Sequence, residues 1–353
     1  MTVGIARKEA LKVLTDISQG INPIEKKRER AARKAAEKAQ DKTLGDVFKE
    51  YVRLSGVRET TASVYQDALF PVCRDWLDKP LLSITPLMIR ERHMSYGSKS
   101  QANHAMRVLS AVLNHHIDLN DLDKANPVQK ALRGKGKASR WHKLKRRKTY
   151  VEKDQMKTWF DAVEALPEGG TRSTWVGGVA KDLFLFQMYT GLRSRDECAS
   201  LTWDQVDLKK GLVTYTQTKT TDEADDEVVI PLNSAALELL KSRPQVSEYV
   251  FPNGDSYIKD VRNYVRRVRK VLEWTPYDSR RTFMTNGEGA KVPMLTLKRL
   301  VNHATGEADV TAGYIGTDIE AMREASEAIV ERILRQAGRA DDNVIDIHPQ
   351  RSA

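Results

Sequence analysis

The chain has 353 residues, 40% hydrophobic and 30% charged, which is enough for two cores and too apolar for a disordered protein. No run reaches the roughly 18 uncharged apolar residues of a membrane span, and the N-terminus turns charged too soon for a signal peptide, so neither is expected. Two cysteines, Cys73 and Cys198, exclude a disulfide scaffold and suit a reducing compartment, while a net charge of +10 favours a polyanionic partner.

In chain order, residues 5–40 read as two helices. Ala10, Val13, Leu14 and Ile17 form a helical stripe, Gly20 stops it, and Pro23 opens a Lys-, Arg- and Ala-rich connector with almost no apolar face. A helical domain is expected over 43–130. Its stripes are Leu44, Val47, Phe48 and Tyr51; then Val64, Leu69, Val72 and Trp76; then Ala102, Met106, Leu109 and Leu113 on a long helix to about Leu119. About four helices should end at Asn126-Pro127.

Residues 131–148 form a basic linker, with nine basic residues and no acid between Arg133 and Lys148. Such a run repels itself unless solvated or laid on an anion. Beyond it, 149–337 reads as a helix-rich α+β domain. Helices are expected near 153–166, 177–190, 195–202, 234–242, 257–273, 279–290, 294–301 and 317–337. VTYTQTK (213–219) and VVIPL (228–232) predict an antiparallel hairpin across an acidic turn, Asp222 to Glu227, read as a solvated tip facing away from DNA. The overall class is mainly α with an α+β second domain, followed by a tail at 338–353.

Common enzymatic signatures are missing. GKGK at 134–137 lacks the spacing of a P-loop, there is no HExxH or GxSxG, and adjacent His115 and His116 face different sides of a helix. No metal or cofactor is expected. What remains is a set of polar residues at element ends. Thr190-Gly191-Leu192-Arg193 follows the most apolar helix, so its arginine is rigidly held. Lys219 ends a hairpin strand. Tyr277-Asp278-Ser279-Arg280 opens a helix after Pro276, and His303 and Tyr314 lie further on.

The ordered set TGLR, QTK, YDSRRT and LKRLVNHATGEADVTAGYIG resembles the tyrosine recombinases, the phage-integrase family. It is most similar to prophage and genomic-island integrases, in which asparagine precedes the histidine and VTAGY carries the nucleophile. The resemblance covers 43–337. It implies a core-binding domain at 43–130 and a catalytic domain at 149–337, closing as a C-shaped clamp on DNA. Residues 1–42 resemble the end of an arm-binding domain plus a connecting helix, without that domain's sheet-bearing front.

By that resemblance Arg193 and Arg280 grip the scissile phosphate, and Tyr314 attacks phosphorus to give a 3′-phosphotyrosine. Lys219 protonates the leaving 5′ oxygen and His303 donates to the phosphate, without metal or ATP. The family histidine is replaced by Tyr277, given an orienting role. The supporting acid is Asp196 counted from Arg193, or Glu197 counted from Trp203. Expected DNA contacts are Ser98, Lys99, Gln101, Asn103 and Arg107; linker residues Arg140, Lys143, Lys145, Arg146 and Arg147; and Arg262, Arg266 and Arg269, opposite an inward Val261, Val265 and Val268.

The implied partners are double-stranded DNA attachment sites and a tetramer of the chain on DNA, with excisionase and DNA-bending proteins as accessories and no membrane. The implied setting is the bacterial cytoplasm, on the nucleoid when DNA-bound, integrating or excising a mobile element. The stripe Ile319, Met322, Ser326, Ile329 and Ile333 either covers its own domain or meets a partner subunit. Segment 317–346 has four arginines against eight acids, so the tail suits a protein partner. The alternatives are type IB topoisomerase-like nicking and resealing, or a non-catalytic DNA-binding protein on the same scaffold.

Overall fold

The computed structural model describes residues 14, 15, 17, 18, 22, 42–133, 140–169, 172–216, 227–303 and 318–339. They fall into two units, one ending at Arg146 and the other beginning at Arg147. The expected helices of 5–40 lie outside the described residues, apart from scattered positions.

The first unit is helical. Helix α1 (Leu44–Leu54) starts where the Thr43 hydroxyl accepts the Asp46 N–H at 3.2 Å, and it buries Leu44, Val47 and Phe48. Helix α2 (Glu59–Val72) packs Ala68, Leu69 and Val72 inward, with Phe70 edge-on to Phe48 at 5.2 Å. Val64, expected in the stripe, is exposed: what lies across a helix decides which apolar residue is covered, and periodicity alone does not show that. Helix α3 (Pro86–Ser95) has Pro86 in its first turn and Thr85 as its cap.

The long α4 (Lys99–Leu119) buries Ala102, Ala105, Met106, Leu109, Val112 and Leu113 completely. Each such leucine contributes about 2 kcal/mol by leaving water, so this face, more than helix propensity, holds the bundle. The chain does not leave the bundle at Asn126-Pro127. Asn126 caps a further helix, α5 (Pro127–Leu132), whose Val128, Ala131 and Leu132 join the core.

In the second unit α6 (Met156–Glu164) and α7 (Arg172–Thr190) build an aromatic core. Trp159, Phe184 and Trp274 meet edge-on, with Trp274 5.6 Å from Trp159 and 5.0 Å from Phe184. Three antiparallel strands follow in order β1-β2-β3: Val206–Asp207, Leu212–Thr216 and Glu227–Pro231. The expected hairpin is present, with Leu212 opposite Pro231 and Thr216 opposite Glu227; most of its acidic tip lies outside the described residues.

After α8 (Ser234–Ser242), the helix expected over 257–273 is much shorter. Pro252–Asn253 (β4) and Ser256–Tyr257 (β5) form a small hairpin around Gly254, which has φ of +65°, and only Arg262–Val268 (α9) is helical. Helix α10 (Pro276–Gly289) begins three residues earlier than expected, because Pro276 suits a first turn. It crosses α11 (Met294–Leu300) at Gly287, where any Cβ would fall 2.2 Å from Leu297. Helix α12 (Ile319–Gln336) buries Met322, Ser326, Ile329 and Ile333 in its own unit's core, so that stripe covers its own domain.

Candidate active site

Arg193 follows α7 through a turn that requires glycine. Gly191 has φ of +66°, and a Cβ there would sit 2.6 Å from the Phe283 ring. The chain then forms one π-helical turn, Ser194–Ala199, in which the Cys198 N–H bonds the Arg193 carbonyl at 3.0 Å. This wider turn brings the Glu197 carboxylate back to Arg193. Glu197 accepts the Arg193 backbone N–H at 2.6 Å and pairs with its guanidinium. The sequence left Asp196 and Glu197 open because i→i+5 bonding adds a residue that an α-helical count misses. Buried Tyr215, on β2, donates its hydroxyl to the Glu197 carbonyl at 2.8 Å and so ties the hairpin to this turn.

Arg280 comes from the second turn of α10 and is only 4% exposed. Its Nη1 donates to the carbonyls of Gly191, at 3.2 Å, and Val301, and lies 3.9 Å from Glu197 Oε2. Burial, then the Arg193 charge, pulls the Arg280 pKa below its ordinary value, and Glu197 opposes the shift.

The third side of the site is the end of α11. Asn302 adopts a left-handed conformation, φ 47°, and the Asn302 and His303 N–H groups return to the Arg299 and Lys298 carbonyls at 3.0 and 2.8 Å. That is a Schellman turn with asparagine in place of glycine. Its geometry turns the last carbonyls of the helix toward the two arginines. Arg193 Nη1 donates to the Asn302 carbonyl at 3.0 Å, and Asn302 Nδ2 donates to Glu197 at 3.2 Å. The partial negative charge of the helix end thus supplements Glu197. Sequence reasoning gave Asn302 no role; the signal available was an asparagine, tolerant of positive φ, directly after an apolar helix.

One carboxylate serves two guanidiniums, so an excess positive charge remains. Among the described residues, every bond made by either guanidinium runs through Nη1. Arg193, with its side chain 43% exposed, opens the pair to solvent. His303 is exposed beside it. Tyr277, in the first turn of α10, is largely exposed and carries Arg281 over its ring at 4.8 Å. Lys219 and Tyr314 lie outside the described residues. Two guanidiniums held by one carboxylate have the chemistry to accept an oxyanion.

The expected DNA contacts separate by what their side chains already hold. Lys99, Lys143, Lys145 and Arg146 are exposed. Ser98 caps α4 by accepting the N–H of half-buried Gln101, and Arg107 lies over Trp141 at 5.7 Å. Arg140 is bonded to the Ala131 and Leu132 carbonyls. Asn103 is a correction: it is buried, and its amide pairs with both backbone groups of His142 at 2.9 and 3.2 Å and with His93 Nε2 at 2.8 Å. It fastens the linker at His142 and is not available to DNA. Arg147 and Arg269 share Glu273, Arg262 is paired with Asp260, and Arg266 bonds Asn263. Val268 is inward as expected, with Val261 and Val265 only partly buried.

Among the described residues there is no cluster of three His, Cys, Asp or Glu able to hold a metal ion, and no helix long and apolar enough to cross a membrane. Residues 149–315 match the model of the phage integrase family. The Tn1549 transposon integrase, solved in complex with circular intermediate DNA, is similar at 17% identity and a TM-score of 0.53, over 80% of this chain and 98% of that one. A lambda integrase dimer bound to a COC′ core site is 17% identical with a TM-score of 0.56, covering 79% and 100% of the two chains. A lambda integrase tetramer bound to a Holliday junction is 17% identical with a TM-score of 0.57, covering 87% and 89%. At these identities the likeness is one of fold. No curated protein matches the sequence.

Proposed function

From residues 149–315, a phage integrase family domain, we propose that this protein is a site-specific tyrosine recombinase that cuts and rejoins DNA to integrate or excise a mobile element. The observation that carries the reading is the pair Arg193 and Arg280, both anchored through Nη1 by Glu197 and the end of α11, with no bond from Nε or Nη2 among the described residues. A phosphodiester brings one negative charge, and its pentacovalent transition state brings a second. Two forks fixed beforehand stabilise that added charge without reorganising.

In this mechanism Tyr314 releases its phenolic proton to solvent and its oxygen attacks phosphorus as the P–O5′ bond breaks, giving a 3′-phosphotyrosine and a 5′-hydroxyl that takes its proton from Lys219. His303 donates a hydrogen bond to a phosphate oxygen, and Tyr277 orients the same group. The 5′-hydroxyl of a partner strand then attacks the phosphotyrosine and releases the enzyme. Each step exchanges one phosphoester for another, so no external energy source is needed. Exposed Lys99, Lys143, Lys145 and Arg146, with Arg107, would track the duplex backbone. Two such exchanges, carried out by four copies, would pass through a four-way junction, with excisionase and bending proteins setting direction.

The test uses two differently labelled duplexes carrying candidate element ends. Reciprocal exchange of labels through a four-way junction is expected. Relaxation of any supercoiled plasmid without exchange would instead indicate the topoisomerase-like activity, and tight binding with neither activity would indicate a non-catalytic clamp.

A further inference from the structure

A second arginine–carboxylate group, made by other residues, lies in the same unit. Glu273 Oε1 accepts from Arg147 Nη2 at 3.1 Å and from Arg269 Nη2 at 2.5 Å, while its Oε2 accepts from Arg269 Nε at 3.2 Å. One carboxylate oxygen therefore sits between two guanidiniums, where an oxygen of a bridging anion would sit. The two acids near Arg147 are not alike. Asp278, 3.8 Å from the Arg147 guanidinium, has a side chain only 2% exposed, and it is held by the Thr149 hydroxyl, Arg281 and both donors of Thr275. Glu273 is 59% exposed and, among the described residues, its side chain bonds the two arginines alone. Arg147 is itself steadied by its Nε bond to Thr149 at 2.8 Å. Arg147 is held on its inner side by Thr149 and Asp278, Arg269 is held by Glu273, and the exposed Glu273 is the replaceable partner.

We propose that Arg147 and Arg269 form a binding site for a DNA backbone phosphate, and that Glu273 fills it in the free protein as a stand-in anion that DNA displaces. The proposal rests on the DNA reading above. Exposed ion pairs of this kind are weak enough to exchange with a backbone phosphate, which brings the same single charge as the carboxylate and gains from release of its condensed counterions. Arg269, and then Arg147, hold the Glu273 carboxyl below the usual carboxylate range, so it leaves by competition rather than by protonation. The consequence is a lower backbone affinity: any duplex must displace Glu273 to make this contact, while Glu273 keeps both side chains ordered in the free protein.

The experiment measures binding of a short duplex of arbitrary sequence, by fluorescence anisotropy over a salt series, to four forms of the full chain. These are the wild type, Glu273→Gln, the Arg147→Gln, Arg269→Gln double variant, and the triple variant, with thermal midpoints confirming folding. Glu273→Gln should bind about threefold to tenfold tighter than wild type. The double variant should bind more weakly, with a salt slope shallower by roughly one to two ions. In the double-variant background Glu273→Gln should have no effect, because there is no site left to vacate. Equal tightening in both backgrounds would mean that Glu273 acts only as a nearby negative charge, and no tightening would mean that it does not compete; either overturns the proposal. Absence of any DNA binding by the wild type is a separate result, which removes the DNA reading itself.

Discussion

Glu197 and Glu273 each hold two arginines, yet one is buried and the other open. The Glu197 side chain is 7% exposed, bonds a backbone N–H and Asn302 as well as Arg193, and lies against an arginine that is itself buried. The Glu273 side chain is 59% exposed. Burial changes what the same chemistry does. Between buried Glu197 and Arg280 a missing partner leaves an uncompensated charge, so the acid is a permanent part of the frame. At the surface, water and salt replace the partner easily, so the acid can be exchanged.

The contrast sets an order of effects. Glu197→Gln should be the most damaging change, destabilising the second unit by roughly 3–5 kcal/mol because Arg280 stays buried with its main counter-charge removed. Thermal or urea unfolding measures this, and a loss below about 1 kcal/mol would place Glu197 in the exchangeable class. Gly191→Ala should follow, at roughly 2–3 kcal/mol, since the new methyl meets Phe283 at 2.6 Å on a backbone with positive φ. Asn302→Ala should destabilise by about 1 kcal/mol through its left-handed backbone. Asn302→Gly should restore stability but not strand cleavage, because the Nδ2 bond that steadies Glu197 is gone; equal activity of Asn302→Gly and wild type would reduce Asn302 to a cap.

The first unit adds a neutral version of the comparison. His93 is buried against Asn103, with the His142 ring stacked at 4.1 Å, and burial pulls its pKa below the ordinary histidine value; the Asn103 bond opposes the shift and the His142 charge adds to it. The sign follows from where the proton goes. Below about pH 6.5 the unfolded chain takes up a proton that folded His93 resists, so stability is full above that pH and is lost as pH falls toward the depressed value. The thermal midpoint of the wild type should therefore drop between about pH 7.5 and about 5.5, more than that of His93→Gln. Parallel profiles would show that His93 does not carry the dependence.

Much of this was legible in the sequence. The stripes of α1 and α4 appear where their periodicity puts them, because a core-facing helix needs only local spacing to declare itself. The hairpin followed from alternation, and the polar element ends marked Arg193 and Arg280. Three features were not legible, each for a physical reason. The π turn changes the residue count between Arg193 and its acid. Asn302 acts through backbone conformation and its own carbonyl, which side-chain chemistry does not reveal. Asn103 looked like an exposed polar residue at a helix start until His93 and His142, 10 and 39 residues away along the chain, closed over it.

The most direct test is covalent trapping. The protein is incubated with nicked duplexes of randomised sequence flanked by candidate element ends, denatured in SDS, and resolved beside Tyr314→Phe and Tyr277→Phe. A DNA–protein adduct from the wild type and Tyr277→Phe, absent from Tyr314→Phe, is the predicted result, and sequencing the trapped strand would give the core site. An adduct that survives Tyr314→Phe, or no adduct despite tight binding to the same DNA, would contradict the proposed chemistry.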